Sequence, residues 1–325
     1  MKRLNTFVVL IAAVVSLSRC GGEDRATRGE PEQSAAAGES YEPPARAAHR
    51  TRLVLLGTGT PNPDPACSGP SVAVVVDEEA YIVDFGPGVV RRAAAANLGG
   101  IAALDPERLD IAFATHLHSD HTMGYPDLVF TPWVIGRRAP LNVYGPPGLE
   151  RMTSRILEAW SEDIAVRSEG NQPDREGGWR AIAHEVEPGE IYRDDKVKVT
   201  AFEVKHGAWE HAYGYRFDGP DRSIVISGDT RPTESVVEAC DGCDVLVHEV
   251  FSYRGFSRRP ADWQRYHIDS HTSSLDLGEI AARARPGLLV LYHQLLWGDT
   301  PQMVLDDIGR SFQGRVAYGR DLDVY

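Results

Sequence analysis

The stretch Thr115-His116-Leu117-His118-Ser119-Asp120-His121 packs three imidazoles and a carboxylate into six positions. Imidazole with carboxylate suits zinc and similar borderline metals, and an apolar core gains nothing from four such side chains without a partner. A lone His is ordinarily a satisfied structural residue; this density points to metal. Four residues so close in the chain cannot all turn to one ion, and a catalytic ion must keep one position open. Two adjacent ions meet both demands, with His116 and His118 on one and Asp120 and His121 on the other. Each ion then needs a further ligand and a shared one, and the candidates are His206, Asp229 and His293.

Working outward from this cluster, polar residues gather where apolar runs stop. Asp84 follows Tyr81-Ile82-Val83, His116 follows Ile111-Ala112-Phe113-Ala114, Asp229 follows Ile224-Val225-Ile226, and His293 follows Leu289-Val290-Leu291. The runs are short and bounded by Gly, Pro and Asp, which predicts strands at 52–56, 72–76, 81–84, 110–114, 196–204, 213–217, 223–227, 245–247 and 288–292. Helical stretches are predicted near 88–97, 149–160, 233–239, 273–284 and 301–308. The mixture is α/β, and strand ends are where a rigid scaffold holds a site. Cys240 and Cys243 are candidates for pairing, which their spacing alone does not establish, and no second Cys-x-x-Cys completes a structural zinc site.

The His-x-His-x-Asp-His cluster, a later His206, Asp229 after a glycine-ended strand and His293 after an apolar strand together resemble the metallo-β-lactamase superfamily. The Gly57-Thr58-Gly59-Thr60 turn and Val83-Asp84-Phe85-Gly86 match too, and the resemblance runs from about residue 51 to the end. Within it the chain is most similar to the ribonuclease Z and arylsulfatase-type group, through Gly57-Thr58-Gly59-Thr60-Pro61, Val143-Tyr144-Gly145-Pro146-Pro147-Gly148, Gly214-Tyr215-Arg216, Ser227-Gly228-Asp229-Thr230-Arg231-Pro232 and Val247-His248-Glu249. The resemblance implies a four-layer αββα sandwich. It also implies two Zn2+ ions, one held by His116, His118 and His206, the other by Asp120, His121 and His293, with Asp229 bridging; Mn2+ would suit the same ligands. His211 competes with His206 for its role. His271 resembles a histidine that ribonuclease Z enzymes use in phosphodiester cleavage, and His248 another near that site, which makes them catalytic candidates beside Asp120. Asp84 is expected to order ligand loops by hydrogen bonding. Two such ions would activate a water at neutral pH, so the chain is expected to be a zinc-dependent hydrolase of ester bonds.

Three features argue about substrate and place. Lys2 and Arg3 precede an apolar run from Phe7 to Leu17, an export-signal pattern. Leu17-Ser18-Arg19-Cys20 resembles a bacterial lipobox, implying lipid attachment at Cys20, although Arg19 stands where a small residue is expected; simple secretion is the alternative, and a membrane-inserted helix ranks last. Residues 1–20 thus read as an export signal of a periplasmic or membrane-anchored lipoprotein, 21–50 as a flexible linker and 51–325 as the hydrolase domain. The formal net charge of −13 argues against a partner bound mainly through phosphates, without excluding a local basic groove. Only 22 residues separate His206 from Asp229, where ribonuclease Z enzymes carry a long tRNA-gripping arm. The expected substrate is therefore a small-molecule ester, phosphodiester or sulfate ester first, with tRNA 3′ processing as the enzymatic alternative. A non-catalytic metal- or ligand-binding lipoprotein is the alternative from another class. Trp133, Trp160, Trp179 and Trp209 are candidates to line a pocket or to fill the core.

Overall fold

In the computed structural model, which describes residues 49–170, 173 and 177–325, the first strand already sets the layers. Strand β1 (Thr51–Gly57) is apolar on both faces: Leu53 and Leu55 enter one buried cluster, Val54 and Leu56 another. A strand of this kind must be covered on both sides. It pairs antiparallel with β2 (Ser71–Val76), which pairs with β3 (Glu79–Val83). Helix α1 (Val89–Leu98) follows, then β4 (Ile111–Phe113), the single turn α2 (Ser119–Thr122), α3 (Tyr125–Ile135), β5 (Leu141–Gly145), α4 (Leu149–Ala159), α5 (Ser161–Glu169) and β6 (Ala181–Glu185). The six strands lie in the order β1-β2-β3-β4-β5-β6, parallel from β3 onward.

The second sheet has seven strands and repeats this plan, antiparallel first and parallel after. It begins with β7 (Gly189–Arg193), β8 (Lys198–Glu203), β9 (Tyr213–Asp218) and β10 (Ser223–Ile226), each antiparallel to the one before. After α6 (Glu234–Cys240) come β11 (Val245–Phe251), α7 (Tyr253–Ser257), α8 (Ala261–Ser270), α9 (Ser274–Ala284), β12 (Leu288–Leu295), α10 (Pro301–Ile308) and β13 (Val316–Tyr318), with β10 to β13 parallel. Leu53, Val72, Tyr81 and Phe113 of the first sheet meet Tyr215, Phe217, Ile224 and Val290 of the second in one buried layer. Outside it, Val89 and Ala93 of α1, Leu128 of α3 and Leu149 of α4 cover the first sheet. Val236 of α6, Leu277 of α9 and Ile308 of α10 cover the second. The result is the four-layer αββα sandwich.

Several elements depart from the expected pattern. Helix α3 forms although Pro126 and Pro132 lie within it. A proline in the first turn costs nothing, but Pro132 has no N–H for the carbonyl of Leu128 four residues back. The buried guanidinium of Arg137 replaces it, donating to Leu128 O at 3.0 Å and also to Leu109 O at 2.7 Å, Val129 O at 2.7 Å and Gly178 O at 3.0 Å. Strands β6, β7 and β13 lie at sheet edges or carry half-exposed, charged sequences, so no apolar run marked them. Cys240 and Cys243 are joined in a disulfide, which settles the pairing left open by their spacing. Among the described residues no helix is long and apolar enough to cross a membrane. The export signal, Cys20 and nearly all of the 21–50 linker fall outside the described residues.

Candidate metal centre

The polar residues of the site come from strand ends, from one helical turn and from a bulge within a strand. His116 follows β4, and His118 precedes the turn α2 that carries Asp120 and His121. His206 follows β8, Asp229 follows β10, and His293 lies within β12. Two of these positions need unusual backbone. Gly228 has φ 62°, and a Cβ there would lie 2.8 Å from Tyr213 O and 2.9 Å from Thr115 Cβ, so glycine lets the chain turn Asp229 inward. His293 has φ 46° and is the extra residue where the β11–β12 register shifts, Glu249 pairing with Tyr292 and Val250 with Gln294. A bulge of this kind re-aims one side chain out of the strand alternation and stores strain at the site.

The structure brings all seven expected ligands together. His118 Nδ1 lies 3.1 Å from His116 Nε2 and 3.0 Å from His206 Nε2. Asp120 Oδ2 lies 3.2 Å from His293 Nε2 and 3.6 Å from His121 Nε2. Asp229 Oδ2 stands between the two groups, 3.3 Å from His121 Nε2, 3.5 Å from His293 Nε2 and 4.0 Å from His206 Nε2. His116, His121, His206, Asp229 and His293 are buried; His118 and Asp120 are partly open to the cavity.

The donor set fits metal ions on its own hydrogen-bond chemistry. His206 Nδ1 faces the carbonyl of Ser270 at 2.6 Å and must donate, which leaves Nε2 a bare lone pair. Thr115 Oγ1 donates to Asp84 at 2.9 Å and so accepts from His116 Nδ1 at 3.0 Å, which leaves His116 Nε2 bare as well. Both lone pairs converge on His118 Nδ1, and at most one hydrogen can sit among three nitrogens. Burial and the neighbouring imidazoles push His116 well below the ordinary histidine range, and burial first takes His118 and His206 down to about 4. Neutral imidazoles with lone pairs pointed inward are metal ligands in waiting. In the second group, His121 Nδ1 meets Asp84 Oδ2 at 2.8 Å while its Nε2 and Asp229 Oδ1 are buried with no hydrogen-bond partner. Burial would raise the Asp229 carboxyl, but His293 and His121 outweigh it and hold Asp229 ionised. Asp84, at φ 57°, also takes the backbone N–H of Thr115 at 2.8 Å, ordering both ligand loops as expected.

The other candidates divide. His271 reaches the centre, its Nδ1 3.9 Å from Asp229 Oδ2, and it lines the cavity over the site. His248 does not: its ring is buried on β11, with Nδ1 bonded to Glu249 O at 2.7 Å, and it lines no part of the cavity. Strand alternation turns its neighbour Glu249 inward instead. Glu249 Oε1 lies 3.4 Å from His271 Nδ1 and accepts the backbone N–H of Thr272 at 2.8 Å. Burial and the nearby Asp229 push the Glu249 carboxyl well above its ordinary range. His211 lines a separate cavity with Trp209 and Glu185 and is not grouped with the ligands. Of the tryptophans expected to line a pocket or fill the core, Trp133 is buried core, Trp160 stacks on Phe130, Trp179 packs against the first-sheet core, and Trp209 leans on His118 at 5.1 Å between ring centroids. The cavity over the site measures about 670 Å³ and is walled by Trp263 and Trp297, which no motif had marked.

The profile of the beta-lactamase superfamily domain matches residues 80–294, and the chain belongs to that superfamily, among the relatives named ribonuclease Z. The ribonuclease Z of Mycobacterium bovis (strain BCG / Pasteur 1173P2) is 32% identical over 275 residues, covering 83% of this chain and 96% of the relative. Among solved structures, the metallo-β-lactamase fold protein YhfI from Bacillus subtilis superposes with a TM-score of 0.65 at 17% identity, covering 85% of this chain and 100% of that one. The short form of human tRNase Z gives 0.61 at 22% identity, covering 84% and 98%. The chain is a metal-dependent hydrolase of ester bonds.

These relatives overturn the expectation of an enzyme acting on small-molecule phosphate or sulfate esters. That expectation leaned on the short His206–Asp229 connection. The 275 aligned positions already take in 83% of this chain, which leaves no room for an arm of tens of residues present only in the mycobacterial relative. The short connection therefore does not set this chain apart from proteins of that name. Neither a small-molecule substrate nor lipid attachment at Cys20 gains support from them.

Proposed function

We propose that the protein is an endoribonuclease of the ribonuclease Z type, which cleaves a phosphodiester at the 3′ end of precursor tRNA. The observation that carries the reading is the 32% identity to a ribonuclease Z across 96% of that relative's length. Its site fits the chemistry. We assign His116, His118 and His206 to one Zn2+ ion, Asp120, His121 and His293 to a second, and Asp229 to the position between them. Divalent ions bound by these residues would supply a water activated at neutral pH and would neutralise charge on the phosphodiester. The chain's own residues do the rest. Ser270 O, Thr115 Oγ1 and Asp84 fix which nitrogen of His206, His116 and His121 faces the centre. Glu249 Oε1 lies 3.4 Å from His271 Nδ1, and His271 stands in the cavity as the group to protonate the leaving oxygen. Burial of His116, His121, His206, Asp229 and His293 keeps bulk water from these groups, which strengthens each interaction.

The test is cleavage of precursor tRNA carrying a 3′ trailer by the zinc-loaded full chain, with the products mapped to the nucleotide. The expected result is one cut at the end of the acceptor stem. Intact substrate, or scattered cuts, would overturn the assignment.

A further inference from the structure

We propose that Arg259, Trp263, Tyr266 and Trp297 form a subsite that stacks on a nucleobase flanking the scissile phosphodiester while Arg259 holds a neighbouring phosphate. The proposal rests on the ribonuclease reading for the nature of its ligand, and on the wall itself for its chemistry. These four residues line the same cavity as His118, Asp120, Asp229 and His271, so a chain bound across the centre must lie against them.

Two observations make the wall a site. The first is the arginine. Four arginines lie in the α7–α8 region, Arg254, Arg258, Arg259 and Arg265, and two are paired: Arg254 with Asp307 at 3.8 Å and Arg258 with Asp299 at 2.7 Å. Arg259 makes no ion pair with a carboxylate among the described residues, and its Nε is buried without a hydrogen-bond partner. Its guanidinium instead lies 5.3 Å from the Trp263 ring centre and 5.4 Å from that of Trp297. Held between two indoles, it keeps its charge at the cavity with no anion to answer it. The carboxylate of Asp262, also on the rim, is already engaged by the backbone N–H of Trp263 at 3.0 Å.

The second is the aromatic corner. Trp263 is 47% and Tyr266 44% exposed, although both carry large apolar rings. Their planes stand at 87° with centroids 5.7 Å apart. A flat heterocycle laid on the open face of one ring meets the other edge-on, which is a preferred geometry for aromatic groups. His267, which also lines the cavity, packs against both indoles, its ring centre 5.7 Å from that of Trp263 and 4.4 Å from that of Trp297. Base stacking on such a platform needs no particular base, and an adjacent cation selects the sugar-phosphate chain over a neutral aromatic.

The experiment uses the zinc-loaded full chain and its Trp263→Ala, Trp263→Phe and Arg259→Gln variants, with metal content measured to show that each is folded. Calorimetric titration compares adenosine 5′-monophosphate with ribose 5-phosphate, which differ only by the base. The wild type should prefer the nucleotide by about tenfold. Trp263→Ala should abolish that preference, Trp263→Phe should keep most of it, and Arg259→Gln should weaken both ligands alike. Equal affinity for the two ligands in the wild type, or a preference that survives in Trp263→Ala, overturns the subsite. In cleavage assays, precursor tRNA abasic at one or other nucleotide beside the cut should show a raised KM with the wild type and no further rise with Trp263→Ala. A wild type that cuts no RNA yet retains the nucleotide preference sinks the ribonuclease reading and leaves the stacking subsite standing. RNA cleavage with no preference does the reverse.

Discussion

Asp229 stands between two groups of candidate ligands through a single oxygen, and its other oxygen is buried with no protein partner. Replacing it with alanine removes the only carboxylate common to both groups and leaves buried imidazoles facing one another. Asp229→Ala should strip metal and turnover with the chain still folded; elemental analysis finding unchanged metal would remove Asp229 from the site. His271 stands beside His206 and Asp229 but each proposed ion has its ligands without it, so His271→Ala should retain metal and lose about 10²-fold or more in kcat. Normal turnover would reduce it to a packing residue. The ligands were legible in the sequence because each ends an apolar run or crowds into one turn. Glu249 was not, because its role comes from the parity of β11 and from backbone N–H groups at Thr230 and Thr272, distant in the chain. The same parity sends His248, the more suggestive residue on paper, away from the cavity.

Helix α3 shows at the scale of an element why local rules failed. Pro132 argues against a helix over Tyr125–Ile135, and the rule loses because a residue beyond the helix end supplies the missing donor: Arg137 satisfies the Leu128 carbonyl that Pro132 cannot. Arg137→Met should cost about 3 kcal/mol or more in denaturant unfolding, since it orphans several buried carbonyls together. Pro132→Ala returns an N–H to Leu128, so the double variant should recover about 1 kcal/mol relative to additivity. Strict additivity would refute the compensation. Long buried strands such as β2 and β12 were readable from their apolar runs, as were the amphipathic helices α9 and α10. Edge strands β6 and β7 were not, because half-exposed edges use charge to avoid pairing with other chains. Helix α8 escaped because its aromatic residues serve a cavity, not a core stripe. The bulge at His293 is invisible in sequence, since it exists only in the register between two strands.

At the scale of the whole molecule, the two sheets and the centre between their ends are one cooperative object, and any ion that binds only the folded state stabilises it. Chelation should abolish cleavage and lower Tm by roughly 5–10 °C, with both restored by Zn2+. A Tm indifferent to chelator would mean that the converged imidazoles do not hold metal. The net charge of −13 bears on the substrate in a way that can be measured. Non-specific RNA affinity comes from releasing counterions, about 0.7 per phosphate neutralised on a single strand. Among the described residues Arg259 is the one Lys or Arg lining the cavity, with Arg254 and Arg258 paired to Asp307 and Asp299, so few phosphates can be neutralised there. A plot of log affinity for precursor tRNA against log salt should therefore be shallow, with a slope of roughly −2 to −3. Affinity must then come from the metal centre and from stacking, neither of which salt screens strongly. A slope of about −6 or steeper would place the main contact on a basic surface elsewhere on the molecule. The wall beside the centre would then be secondary to it.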